Sequence, residues 1–379
     1  MDQHQDVRVV ICAPGFPASN DDPDKPFLLD HAKSLIDAGL NVTVVSPALG
    51  GVPSRQNIDG IDVCRVRYAP RRLQTLAATG SMYREARGPK GLLVLPMIIA
   101  LCVAVWRESR RGTTVLYGHW WIPGGLVAAV VGLVTGRPNL VHLHGSDAAI
   151  TENKIFKAVA RWVFRSVDAR LAVSTELAAW GEEISARKFD VLPMPLNLDR
   201  LPDPSAIPEQ GFVLGVGRLV EEKGFAYLIE AIGQLDEGSR PPLTIVGGGP
   251  ERDKLEKQAR RLGVDIHLPG AVSPVELSDW YRRSRIVSIP SLREGFGLVA
   301  AEASAAGRAV VGTTVGALPQ IVEHGVSGLL VRPGDSEALA KALSEVNPEW
   351  GSRGPAQVAK LRSEQHGEQL RQLCEDLLN

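Results

Sequence analysis

The sequence predicts two Rossmann-like α/β domains in tandem. Three observations carry this. Short β-branched runs alternate with helix-period segments along the chain, the alternation stops at a proline-rich stretch, and it begins afresh beyond it. A length of 379 residues also exceeds what one ordinary core holds.

The first strand is expected over 7–13, followed by the loop PGFPASNDDPDK, a helix over 27–39 and the strand NVTVVSP, a βαβ start. IDVCRVR, TTVLYGH, NLVHLHG and ARLAVS add short apolar strands, with helices expected over 91–109, 123–135, 154–166 and 176–186. Such alternation implies a largely parallel sheet covered on both faces. The linker reads as 191–210, with five prolines and no periodicity. The pattern then restarts. FVLGVG, LTIVGGG, DIHLPG, RIVSIP, AVVGT and GLLVRP read as strands, separated by helices over 225–235, 251–262 and 274–283. The expected domains are 1–195 and 205–350, with a polar helical tail over about 355–379 returning to the first. Ligands of such sheets bind at the carboxyl ends of the strands, here in a cleft between the domains.

A net charge of −1 gives no case for nucleic acid, and an apolar share of 44% is that of a soluble globular chain. Cys12, Cys64, Cys102 and Cys374 lack CxxC spacing, so neither a zinc site nor a disulfide framework is suggested, and a reducing cytoplasm is expected. The N-terminus lacks the marks of a signal peptide. LLVLPMIIALCVAVW falls short of a bilayer span and is interrupted by Pro96, which predicts a buried helix. Around it, residues 65–111 carry ten Lys or Arg against two acidic residues, an excess that suits a peripheral contact with an anionic membrane.

The unusual residues fall at strand ends. In SLREGFGLVAAEASAAG, Glu294 lies in a strand-to-helix loop and Glu302 one turn inside the helix. Gly295 and Gly297 let backbone come close to a ligand, and the amides of Phe296, Gly297 and Leu298 open the helix as donors for an anion. In GVGRLVEEKG, the loop holds Gly217 with Arg218 and Lys223, cations suited to a diphosphate whose charge grows as it leaves. VGGGP, with Gly247, suits a tight turn and close ligand approach. HLHGSD supplies His142, His144 and Asp147. His142 and His144 share a strand face, a conceivable metal pair, but no third ligand stands at convincing spacing, so no metal is assigned. His144 is the better candidate for the cleft. GHWWIPGG adds His119, Trp120 and Trp121, whose indoles either pack or stack on a sugar-like acceptor.

EGFGLVAAE, GRLVEEKG, VGGGPE, LPG and TTVGALPQIVEHGVSGLLV together resemble the retaining nucleotide-sugar glycosyltransferases of family four, with the GT-B fold. The resemblance runs through nearly the whole chain and is most specific over 211–335. The FP loop near Phe16, HWWIPGG and HGSD resemble the branch acting on polysaccharide-type acceptors. It implies that Arg218 and Lys223 hold the donor diphosphate, Glu302 the ribose and Glu294 the donor sugar, and that His144 contacts the transferred sugar. Asp147, His119 and Trp120 would lie on the acceptor side. Neither a catalytic metal nor another cofactor is implied. Two positions depart from the family pattern. Lys25 and Pro26 stand where relatives usually carry glycine before the phenylalanine, here Phe27, and Gln320 replaces a frequent glutamate.

The function expected is transfer of a hexose-type sugar from a UDP- or GDP-sugar to an acceptor hydroxyl, in polysaccharide, glycolipid or natural-product synthesis. The acceptor would be a lipid-linked saccharide or a small molecule. The alternatives are an epimerase or phosphorylase of the same architecture, and a silent nucleotide-sugar-binding regulator.

Overall fold

The computed structural model describes residues 7–74, 76, 88–148, 153–204, 208 and 211–379. The chain divides into two compact units, Met1–Pro195 with Ser363–Asn379, and Leu196–Arg362.

The first unit is built on β1 (Arg8–Cys12), α1 (Pro26–Asp37), β2 (Asn41–Pro47), β3 (Arg55–Ile58), β4 (Ile61–Val66), α2 (Val94–Ser109), β5 (Thr114–His119), α3 (Leu126–Thr135), β6 (Asn139–Leu143), α4 (Lys154–Ser166), β7 (Ala169–Ala172), α5 (Thr175–Ser185) and β8 (Asp190–Val191). Its eight strands run in the order β3-β4-β2-β1-β5-β6-β7-β8. All pairings are parallel except the edge hairpin of β3 and β4, an element the sequence reading did not include. β1 and β5 are apolar at nearly every position because both faces are covered.

The second unit contains β9 (Phe212–Val216), α6 (Phe225–Gln234), β10 (Leu243–Val246), α7 (Arg252–Leu262), β11 (Ile266–Gly270), α8 (Pro274–Arg283), β12 (Ser284–Ile289), α9 (Leu298–Ala305), β13 (Ala309–Thr313), α10 (Leu318–Ile321), β14 (Gly328–Val331), α11 (Ser336–Glu345) and α12 (Gly354–Val358). Its order, β11-β10-β9-β12-β13-β14, reverses direction between β9 and β12. That is the switch point at which doubly wound sheets open a ligand crevice. The capping box of Ser273 and Glu276 starts α8, which carries Tyr281 toward the sheet.

The tail helix α13 (Ser363–Leu378) returns to the first unit, where Leu370 and Cys374 join the core with Leu28 and Leu35 of α1. The return begins at Ser363, later than the sequence suggested, because α12 packs on α9 in the second unit.

Two expectations in the 65–111 region change. α2 buries the apolar stripe of Met97, Leu101 and Val105, with Glu108 and Ser109 at its end, while Leu95, Ile99, Val103 and Trp106, and Leu92 in the turn before it, are exposed, so it is not a buried helix. One helical face feeds the core and the other stays apolar in solvent. Together with the turn preceding it, Lys90–Ser109 is long and apolar enough to cross a membrane. Arg65 does not belong to a basic face, since it is buried and donates to the carbonyls of Phe16 and Pro17. Arg111 pairs with buried Glu108, which also accepts from Arg8 and Arg55. Residues 77–87 of this stretch, including Arg84, Glu85 and Arg87, lie outside the described residues.

Candidate active site

In the second unit the loops after β9 and β12 are locked together. Gly224, at φ 68, ends the turn that carries Lys223, and a Cβ there would lie 2.0 Å from the Pro290 carbonyl oxygen. The Leu292 amide donates to the Glu222 carbonyl at 2.8 Å. This contact brings Lys223 Nζ to 2.7 Å from Glu294 Oε2, with both side chains partly exposed. The Ser291 hydroxyl donates to the same oxygen at 3.2 Å, and the Gly295 amide to Oε1 at 3.2 Å. Arg218 is exposed in the same β9 loop, next to Gly217.

Gly297, at φ 86, caps α9, whose first residue is Leu298 and whose opening amides lack intrahelical acceptors. Phe296 is buried. Glu302, one turn further, accepts from the fully buried Tyr281 hydroxyl at 2.7 Å. Sequence reasoning missed Tyr281. Its signal was a lone tyrosine near the end of a polar helix, which does not reveal a partner 21 residues away. Gly247 lets the β9 and β10 loops approach closely, since a Cβ on it would come within 1.8 Å of the Gly217 carbonyl oxygen.

In the first unit, parallel pairing sets His119 of β5 opposite His142 of β6. His119 Nδ1 and His144 Nε2 share a proton across 2.8 Å. His31 from α1 and His366 from α13 join them, with His31 Nδ1 2.9 Å from His366 Nε2. Burial holds His31, His119 and His144 well below the usual imidazole pKa, His142 at about 4 and His366 at about 3. All five are therefore neutral near pH 7.

The structure gives Asp147, His119 and Trp120 partners other than an acceptor. Asp147 is fully buried, and its oxygens accept from the amides of Trp121 at 3.2 Å and His144 at 2.7 Å. Burial pushes its carboxyl pKa well up, and these two bonds pull it back. Trp120 lies over the His144 ring, centroids 4.3 Å apart, and donates to Ser146 Oγ at 2.9 Å. Trp121 is fully buried with its indole N–H on the Asp147 carbonyl, so the packing reading holds for it. His144 keeps a slight exposure, and with Nε2 on His119 it has Nδ1 left for a ligand. At the α1 entry, Lys25 adopts φ 59, the left-handed conformation that glycine takes most readily.

Residues 26–195 match the Glycosyl transferase 4-like domain and residues 199–353 the Glycosyl transferases group 1 model. A D-inositol 3-phosphate glycosyltransferase of Corynebacterium jeikeium is 36% identical over 322 residues, covering 74% of this chain and 75% of that protein. An uncharacterized glycosyltransferase of Methanocaldococcus jannaschii is 39% identical over 147 residues, and the match spans 38% of each chain. Among solved structures, a sucrose-phosphate synthase from Thermosynechococcus elongatus superposes with a TM-score of 0.80 at 20% identity, covering 98% of both chains. Anabaena HepE in complex with UDP-glucose superposes at 0.73 and 19%, covering 97% of this chain and 99% of that one. With the two matched models spanning both units and a relative above 30% identity along three quarters of its length, the chain belongs to the family-four glycosyltransferases of GT-B fold.

Proposed function

We propose that the protein is a retaining glycosyltransferase that moves a hexose-type sugar from a UDP- or GDP-sugar to an acceptor hydroxyl, with no metal ion or other cofactor taking part at the diphosphate. The observation that carries this is the set of side chains at the β9 and β12 strand ends, where Lys223 pairs with Glu294, Arg218 is exposed in the same β9 loop and Tyr281 holds Glu302. Arg218 and Lys223 supply positive charge for the diphosphate, and the α9 amides supply further donors. Lys223 pairs with Glu294. An incoming phosphate gives the ammonium a stronger partner and frees Glu294 for sugar hydroxyls. Glu302, held by the Tyr281 hydroxyl, is the proposed partner of the ribose hydroxyls.

In the step itself the bond from the anomeric carbon to the diphosphate oxygen breaks, and the acceptor oxygen bonds to that carbon from the same face. The acceptor proton passes to the departing phosphate oxygen, whose charge Arg218 and Lys223 stabilise. Double displacement through Asp147 fits poorly with a carboxylate bound by two amides in the interior. The HepE complex with UDP-glucose makes that the first donor to test. A lipid-linked saccharide is the proposed acceptor, supported by the exposed apolar face of α2, which would seat a cytoplasmic protein on a membrane. The name of the C. jeikeium relative makes a phosphorylated polyol the second acceptor to try.

The test is product analysis by NMR after incubation with UDP- and GDP-sugars. The expected glycoside keeps the donor's anomeric configuration, at a rate unchanged by added Mg²⁺ or Mn²⁺. An inverted product, or a rate that requires the added cation, overturns the reading.

A further inference from the structure

Five of the chain's eight histidines converge inside the first unit, and their hydrogen bonds leave ring nitrogens without partners. The proton positions follow from the carbonyls around them, because a carbonyl only accepts. His142 Nε2 lies 2.8 Å from the Leu192 carbonyl and must be its N–H, so Nδ1 carries a lone pair, which accepts from the Tyr117 hydroxyl at 2.7 Å. His366 also hydrogen-bonds the Pro193 carbonyl, and its Nε2 lies 2.9 Å from His31 Nδ1. His31 Nε2 and His119 Nε2 are buried with no partner. The cluster is rich in lone pairs and short of donors. One turn from His144, the buried Asp147 carboxylate has no cationic side chain paired with it among the described residues.

We propose that this cluster is a site for one divalent transition-metal ion of the zinc class, ligated by His119, His142 and His144. Each of these offers a ring nitrogen, and the three nitrogens lie within 4.8 Å of one another. A tetrahedral ion with bonds of about 2.0–2.1 Å sets its ligands roughly 3.3 Å apart, so small side-chain shifts complete the site. His142 ligates through Nδ1, with Tyr117 turning away, and the Leu192 carbonyl fixes the opposite N–H in the manner of a metal-bound imidazole. Three neutral imidazoles favour Zn²⁺, Co²⁺, Ni²⁺ or Cu²⁺ over Mg²⁺ or Ca²⁺. Asp147 offsets part of the ion's charge without touching it. The site is separate from the diphosphate residues of the second unit but shares His144 with the expected sugar contact, so the tests below read metal content and binding rather than transfer.

Protein purified from zinc-supplemented culture and dialysed is expected to hold one zinc per chain by mass spectrometry. Anomalous scattering at the zinc edge should place the ion against His119, His142 and His144. Zinc found elsewhere, or an unmetallated chain, overturns the proposal. With the stripped chain, Co²⁺ should give the visible bands of tetrahedral coordination. His142→Gln should weaken Co²⁺ binding at least roughly 100-fold and Tyr117→Phe should strengthen it, each variant checked for folding by its thermal transition. Equal Co²⁺ affinity in wild type and a folded His142→Gln also overturns it, and if that variant does not fold, the anomalous map on the unaltered chain decides.

Discussion

The Tyr281 hydroxyl donates to Glu302 Oε2 at 2.7 Å from a ring with no exposure. Burial raises the Tyr281 pKa well above its ordinary value, with Glu302 adding to the shift, so the phenol stays a donor at any physiological pH. The bond fixes one carboxylate oxygen and so holds the Glu302 side chain in place. Tyr281→Phe removes the bond while keeping the ring. It should weaken binding of UDP or GDP by roughly 10–150-fold, the scale of about 1.5–3 kcal/mol for a hydrogen bond to a charged group, with kcat at saturating donor little changed. Calorimetric titration of the nucleotide measures it, and unchanged affinity would remove Tyr281 from the site.

The Lys223–Glu294 pair is partly open to solvent, so as a stabilising contact it is worth less than about 1 kcal/mol. Its proposed value is catalytic. Lys223→Met should leave the thermal midpoint nearly unchanged while lowering kcat roughly 10²–10³-fold, as loss of a donor to a developing oxyanion does. A large fall in the midpoint with turnover preserved would make the pair structural.

Much of this was legible in the chain. Strand alternation gave both sheets, because buried parallel strands must be apolar throughout, and Lys154–Ser166 and Pro274–Arg283 form helices at the residues expected. That Arg218, Lys223 and Glu294 lie in loops at strand ends and Glu302 in the helix that follows was readable, because these segments carry their turn and helix signals in short local patterns. The histidine cluster was not. His142 and His144 looked like a pair lacking a third ligand, since neighbourhood across a sheet depends on strand order. His119 lies opposite His142 only because β5 pairs with β6, and His31 meets His366 across 335 residues of sequence. α2 misled for a related reason. Composition registers an apolar helix, but not which face meets the core.

Gly247 and Gly248 offer a matched contrast. Gly247 has φ 147 and no room for a Cβ, whose nearest atom would be the Gly217 carbonyl oxygen at 1.8 Å. At Gly248 the nearest atom is Ala271 Cβ at 4.0 Å. Gly247→Ala should therefore push the Gly217 loop, costing roughly 2 kcal/mol or more of stability and loosening nucleotide binding through Arg218. Gly248→Ala should change stability by less than about 0.5 kcal/mol. Denaturant titration of both variants is the measurement, and equal effects would mean that loop contact is not what fixes glycine at 247.

The exposed face of α2 supports the last prediction. Leu92, Leu95, Ile99, Val103 and Trp106 recur at helical spacing, with Arg107 and Arg110 exposed at the end of the stripe and Arg110 lying over the Trp106 ring. An apolar stripe beside cations suits the interface of an anionic bilayer, where each basic side chain contributes about 1 kcal/mol. Arg107→Gln with Arg110→Gln should then weaken sedimentation with phosphatidylserine vesicles roughly 30-fold, and Leu95→Glu with Ile99→Glu should abolish it at any salt concentration. Arg111→Gln should behave differently. Its guanidinium lies 2.9 Å from a Glu108 carboxylate buried in the unit. Removing it should lower the thermal midpoint more than vesicle binding, with Arg8 and Arg55 still holding the carboxylate. Should the apolar-stripe variant bind vesicles as the wild type does, α2 is not the membrane face, and its stripe faces some other partner.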